Sequence, residues 1–460
     1  MKSKETNKRR LLMKSKALLY CLVVLSFLVL LTIAAVAEEA YEGQTIHVVG
    51  FRIAGMDELM AKVPEFEKKY NINVEFDMLS MEAMRQKMRM DFEGNTKKID
   101  VGLSSIHITP TLIEGNNILP LNDFLESDLV EPELLAFDDY FPAAIDAVTY
   151  PSEVLSGEDK IWGLPFHFEV QGLMYRKSVY EKYNLKVPTT WEEYIENAKI
   201  IYEGEAPDIY GLVWRSLRSP QIIWAFNQVF RGFGGKYFAN YPTDLHPTLD
   251  NETTRAALQY FKDSFDYAPP GSRSWAYTEV ITALSDGAVA QSCDDLMYAR
   301  YLEDHETSKT VGDWGYAPIP IKSGLDYDDI AFGPAIGAAE HWVINADISD
   351  VRKQAAFKFI QWATSKPVLS ELAASGAMRG FLTRTSMYEI QKDEEWVKGF
   401  LEAQKHSSKL ARPKLPEWVK LSEVLSTKVS QVIIGEKEVN DAAKELQKEF
   451  TTILEEAGRI

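Results

Sequence analysis

The sequence predicts an α/β fold in two lobes, and three observations carry that reading. Short apolar runs alternate with amphipathic stretches from Thr45 onward. The alternation starts afresh near Ile161, as a second set of elements would. No repeat, low-complexity segment or long linker interrupts the chain, so the elements must pack into compact layers around their apolar faces.

Thr45-Ile46-His47-Val48-Val49-Gly50-Phe51 reads as a strand, and Met56 to Tyr70 as a helix with Leu59, Val63 and Phe66 on one face. Ile72 to Phe76 alternates with period two, a helix is expected over Met81 to Phe92, and Ile99 to Leu103 is the next short strand. This βαβαβ order is the signature of a parallel sheet with covering helices, whose ligands lie at the carboxyl ends of the strands. The loops Arg52 to Met56 and Ser104 to Thr109 are at those ends. In the second set, Trp162-Gly163-Leu164-Pro165 leads into the apolar strand Val170 to Tyr175, and a helix follows around Lys177 to Tyr183. Thr190, with Glu193 three residues later, predicts a capping box at the start of a further helix. Ala288 to Ser292 reads as a strand and Leu296 to Tyr301 as a helix. After the Pro318-Ile319-Pro320 loop come a glycine-rich apolar segment, Phe332 to Ile344, an amphipathic helix, Ser349 to Ser365, and a tail helix, Asn440 to Glu455.

The N-terminus carries its own signal. Basic residues from Lys2 to Lys16 precede an uncharged run, Ala17 to Ala37, that ends on Ala34-Ala35-Val36-Ala37. A basic stretch, an apolar core and a small-x-small ending predict export, with cleavage after Ala37. The run nearly spans a bilayer, so an uncleaved anchor is the alternative, and Met13 is a second candidate start. Beyond Ala37 the only cysteine is Cys293, which excludes an internal disulfide and leaves the fold to its core. A net charge of −18 argues against nucleic acid and anionic lipid headgroups as partners. At 12% of the chain, aromatics are too many for a disordered one.

Gly163-Leu164-Pro165, Leu173-Met174-Tyr175-Arg176-Lys177, Tyr183-Asn184-Leu185 and Pro188-Thr189-Thr190-Trp191 together resemble a run in the family 1 extracellular solute-binding proteins, the carbohydrate-binding components of ABC importers. Phe233-Gly234-Gly235, Leu284 to Ala290, Gly315 to Pro320, Ala355 to Trp362, and Gly376 with Arg379 follow in the same order. The resemblance implies a two-lobe, type II periplasmic-binding-protein fold, each lobe a mostly parallel sheet with helices on both faces and a ligand cleft at the hinge. It implies a signal over residues 1–37, a first lobe from 38–167 and 331–382, and a second from 168–330 and 383–460. It also implies a sugar or polyol ligand, the permease subunits of an ABC transporter as partners, a monomer, and a periplasmic or cell-surface location. Ala268-Pro269-Pro270-Gly271 and the region around Arg215 resemble the polyol-binding branch.

A site for a hydroxylated ligand needs paired hydrogen bonds and flat aromatic faces. The resemblance implies a ligand-binding carboxylate at Glu169, with Phe166 and His167 on the same crossing segment, and a stacking aromatic at Trp224. Asp294 and Asp295 follow an apolar strand, so one is expected to bind ligand and the other to cap the next helix. Trp275 is a candidate second aromatic wall, and Ser104, Ser105 and His107 lie on a loop where the family places ligand contacts. Arg379 matches a family arginine, and Arg52 and Arg215 complete the candidates. No Gly-x-Ser-x-Gly elbow, P-loop or dinucleotide fingerprint is present, and the seven histidines are scattered. Neither catalytic residues nor a metal or cofactor are therefore expected. Two alternatives stay open: a secreted glycoside hydrolase, which would also join aromatics to two carboxyls, and a receptor for an amino acid, peptide or phosphate ester.

Overall fold

The computed structural model describes residues 41–150, 159–331, 333–408 and 410–460; the expected signal lies outside the described residues. Strands β1 (Thr45–Phe51), β2 (Asn73–Leu79), β3 (Val101–Ser104), β4 (Leu164–Pro165), β5 (Glu169–Arg176), β6 (Gln291–Asp295), β7 (Trp314–Ala317), β8 (Ala335–Ala338), β9 (His341–Ile344) and β10 (Ser407–Ser408) build the two sheets. The helices that position the site are α1 (Met56–Tyr70), α2 (Met81–Phe92), α3 (Trp191–Glu205), α4 (Pro220–Gly232), α5 (Asp350–Ala363), α6 (Glu395–Gln404), α7 (Trp418–Ile433) and α8 (Val439–Glu456).

The first sheet has the order β2-β1-β3-β9-β4. β1 runs parallel to β2 and β3, as a strand followed by a crossover helix must, and Ile46, Val48 and Val49 bury themselves under the helices. α1 ends because Asn71 turns left-handed (φ 51°), its amide still bonded to the Glu67 carbonyl at 2.9 Å. β9 lies antiparallel between β3 and β4, with His341 paired to Ser104 on one side and Pro165 on the other.

The second sheet is assembled around β5, which is antiparallel to β6, β7 and β8; only β8 and β10 are parallel. β5 is buried from Val170 to Met174, where the apolar Val170, Leu173 and Met174 flank the polar Gln171. β5 enters this sheet by a short crossing from β4 of the first sheet, and the strands that follow it, β6 and β7, both run against it.

Two crossings therefore run side by side, Pro165 to Glu169 outward and Ala338 to His341 back. The amides of Phe166 and His167 both donate to the Glu340 carbonyl, at 2.9 and 3.1 Å, and so tie the crossings together. The return comes at Ala338 rather than at 331, because β8 still belongs to the second sheet. A last crossing comes later than 383. The Ser386 amide is still bonded to Asp139 of the first lobe at 3.1 Å, whereas α6 packs Gly399 against Tyr316 of β7. α7 and α8 then close the second lobe, where Tyr237 meets Trp418 and Phe450 at ring distances of 5.0 and 6.4 Å. Among the described residues no helix is long and apolar enough to cross a membrane.

Candidate ligand site at the lobe crossing

β6 pairs with β5 so that Asp295 lies opposite Gln171, and β8 places Ala338 opposite Glu169. The two antiparallel pairings bring the end of β6, the start of β5 and the return crossing to one place. Arg215, in the loop before α4, is buried there, with its Nε bonded to both Asp294 carboxylate oxygens at 2.9 Å and its Nη2 on Asp295. Trp224 of α4 donates from its indole Nε1 to Asp295 at 2.9 Å, and the Tyr298 hydroxyl donates to Asp294 at 3.1 Å. The rings of Trp224, Tyr277 and Tyr298 surround the guanidinium at 5.3–5.6 Å. Gln171 locks the frame by donating to the Trp224 carbonyl at 2.9 Å and accepting the Ile336 amide at 3.0 Å.

Next to this network are two carboxyls that it does not satisfy. Glu169 is half-buried, its carboxyl outside the Arg215 hydrogen bonds, and Oε2 of Glu340 is buried without a partner. Burial raises the Glu169 pKa well above the usual range, and Asp295, Glu340 and Asp294 add to the rise while Arg215 opposes it. Burial, with Asp295 beside it, pushes Glu340 up to about 7; burial also lifts Asp295 to about 7, against the pull of Arg215. Burial works against the Arg215 charge, but Asp294, Tyr298 and Asp295 outweigh it and hold the guanidinium protonated. Carboxyls poised near neutrality can both donate and accept, which suits hydroxyl partners.

The structure sorts the remaining candidates. Asp294 and Asp295 are part of β6 itself, and neither caps the next turn; both are bound to Arg215 because a buried guanidinium needs them. Burial drives His167 down to about 3, so the neutral ring donates from Nε2 to the Ala54 carbonyl at 2.7 Å, stacked on Phe381 at 4.0 Å. Phe166 is fully buried against His167 and Trp342, so these two residues pack the hinge. Ser104 is spent on Thr109 at 2.7 Å, and Ser105 is buried, its carbonyl accepting the Thr109 hydroxyl at 2.9 Å. Arg52 is exposed and paired with Asp57 at 2.5 Å, and Arg379 pairs with Glu394 at 2.9 Å, so neither joins the Arg215 network. Trp275 is half-buried, its carbonyl fixed by the Ser216 amide at 2.8 Å.

His107 lies on the first-lobe side of a cleft of about 890 Å³ between α2 and α7, where it meets Arg412. A small cavity shares Pro220, Arg412 and Ser422 with that cleft and has Trp224 in its wall. Between the lobes, Ile106 packs with Trp224, Ile336, Ala338 and Ala411. Sequence reasoning missed Glu340, Gln171, Arg85 and Arg412. Glu340 had a signal, being the only acidic residue in the apolar run Phe332 to Ile344. Among the described residues no His, Cys, Asp or Glu cluster is arranged to hold a metal ion.

The chain is 23% identical over 380 residues to a protein of Sinorhizobium fredii named as a probable amino-acid ABC transporter periplasmic-binding protein, covering 79% of this chain and 78% of that one. An ABC transporter solute-binding protein of Agrobacterium radiobacter, solved with ribitol, superposes with a TM-score of 0.77 at 23% identity, covering 90% of this chain and 99% of that one. One of Agrobacterium vitis, solved with D-mannitol, gives 0.73 at 23% identity, with 90% and 99% covered. At these identities the likeness to solved structures speaks to the fold, two lobes around a cleft. Residues 53–368 match the family described as bacterial extracellular solute-binding protein, and the chain belongs to that family.

Proposed function

We propose that this chain is an exported, monomeric, non-enzymatic receptor that captures a sugar or polyol between its lobes and delivers it to the permease of an ABC importer. One observation carries the reading: two half-buried glutamates, Glu169 and Glu340, the latter with its Oε2 buried and unpartnered, stand at the lobe crossing beside the Arg215–Asp295–Trp224 network. A hydroxylated solute supplies the missing donors, and the Trp224 ring offers an apolar face for its C–H surface. Ribitol and D-mannitol in the structural relatives support that chemistry. Proposed ligand contacts are Glu169, Glu340, Asp295 and Trp224, with Arg215 and Asp294 holding the frame. The two tied crossings act as the hinge, and ligand favours the closed form only by its differential affinity for it.

A thermal-shift screen of the purified protein against polyols, monosaccharides and disaccharides tests the reading, because a ligand that binds only the native state raises Tm. A hydroxylated compound should raise Tm saturably without being consumed. Turnover of an aryl-glycoside would select the hydrolase instead, and a shift with amino acids alone would move the solute class.

A further inference from the structure

The cleft between α2 and α7 holds two arginines, Arg85 and Arg412, whose Nε groups are buried without hydrogen-bond partners among the described residues. Arg412 is 5% exposed, and its hydrogen-bond contacts within the described residues go to one ring: Nη1 to His107 Nε2 at 3.1 Å and Nη2 to His107 Nδ1 at 2.8 Å. Burial, then Arg412 and Arg85, holds the His107 pKa well below its usual value, so the ring is neutral and offers a single acceptor nitrogen. A guanidinium carries five N–H donors, so most of those on Arg412 are unanswered, and its buried Nε has no partner. Arg85 of α2 looks into the same cleft with its Nε also buried and unpartnered; Glu82 and Glu340 act favourably on its charge, but no salt bridge to it is made among the described residues. Burial and the neighbouring Arg85 push Arg412 down to about 9, still protonated at neutral pH. Glu82 and Glu93 are in the cleft wall, but Glu93 is paired with Arg89 at 3.1 Å and Glu82 is exposed.

An arginine cannot shed its charge as a buried carboxyl or histidine can, so the donors that two converging guanidinia leave unanswered favour an anion. We infer that Arg85 and Arg412, with His107 beneath them, form an oxyanion subsite in this cleft, and that the natural solute carries a phosphate or carboxylate on its hydroxylated body. The hydroxylated body rests on the function proposed above; the oxyanion subsite does not. A small cavity lined by Trp224, Ile336 and Arg412 lies between the arginine cleft and the Trp224 side of the carboxyl site. Arg supplies forked donors matched to the oxygens of either anion.

Inorganic phosphate, titrated into the purified protein at constant ionic strength against chloride, is the direct probe. Wild type and Arg52→Gln, which alters an exposed arginine, should rise in Tm at millimolar phosphate, whereas Arg412→Gln and Arg85→Gln should not. In chloride, Arg412→Gln should melt no lower than wild type, since it removes a buried, uncompensated cation; should it fail to fold, Arg85→Gln carries the comparison. A wild-type Tm that phosphate leaves unmoved, or an equal shift in all the variants, overturns the subsite. D-Mannitol, D-mannitol 1-phosphate and D-gluconate complete the panel. A charged compound binding at least about tenfold tighter than D-mannitol supports the inference, and which of the two does so separates phosphate from carboxylate. D-Mannitol binding without any anion response removes the oxyanion and leaves the sugar or polyol reading standing. An anion response with no binding by hydroxylated compounds keeps the subsite and removes that reading.

Discussion

Glu169 is a half-buried carboxyl among other carboxyls, Asp295, Glu340 and Asp294, with Arg215 the opposing charge. Burying a polar group unpaired costs stability, so a ligand that answers it gains what the empty protein has lost. Glu169→Ala should therefore weaken binding of the true solute by at least about 1.5 kcal/mol, the scale of a hydrogen bond to a charged group. Its Tm without ligand should not fall. Calorimetry on the variant decides, and wild-type affinity there would remove Glu169 from the site. Glu340 makes a prediction about pH. Its pKa in the folded chain is about 7, above that of an exposed glutamate, so the folded state binds the proton more tightly than the unfolded one. That contribution to stability is fully present below the unfolded pKa, near 4.3, and is lost as pH rises through about 7. Between those limits wild type should lose Tm relative to Glu340→Gln, and parallel curves for the two proteins would show that Glu340 does not titrate there. Glu169 stood out as a candidate because it follows Pro165 on a segment whose order resembles the family's. Arg412 was not, because it stands in an irregular stretch between helices where no periodicity says what a side chain faces.

Elements were legible where their ends are marked by chemistry. The Thr190 hydroxyl accepts the Glu193 amide at 3.2 Å, and Glu193 reaches back to the Thr189 and Thr190 amides at 2.8 and 3.2 Å. That reciprocal cap is written in the spacing of the two residues. Thr190→Ala should cost about 1 kcal/mol of folding stability, read from chemical denaturation, without altering ligand affinity, because α3 does not line the cleft. A loss of affinity to match would mean that α3 transmits strain to the site. β6 shows the opposite case. An apolar run from Ala288 to Ser292 suggested a strand with two aspartates at its end, one of them capping the next helix, yet the strand is Gln291–Asp295 and carries both. Hydrophobic pattern cannot register such a strand, because the Asp pair is buried by Arg215, a partner 79 residues away for Asp294. The antiparallel second sheet was hidden for the same reason: pairing direction depends on where the chain crosses, and not on the strand's own residues.

At the scale of the molecule, the lobes touch through a small apolar cluster as well as through the hinge. Ile106 stands just beyond β3 of the first lobe, buried against Trp224, Ile336, Ala338 and Ala411 on the second. Such a contact stabilises the closed arrangement whether or not solute is present, and so sets how much of the empty protein is already closed. Closure that is partly prepaid raises apparent affinity, since the measured constant is the intrinsic one divided by the fraction competent to bind. Ile106→Ala removes apolar area from the interlobe contact while leaving the β3 core residues Val101 and Leu103 in place. The variant should keep its Tm within a narrow margin, expand in small-angle scattering when unliganded, and contract to the wild-type profile at saturating solute. Its Kd should rise as the closed population falls, with most of the change in the association step if closure precedes capture. Scattering profiles that coincide for both proteins, with and without solute, would mean that the lobes do not move, and would leave the affinity to the carboxyl network alone.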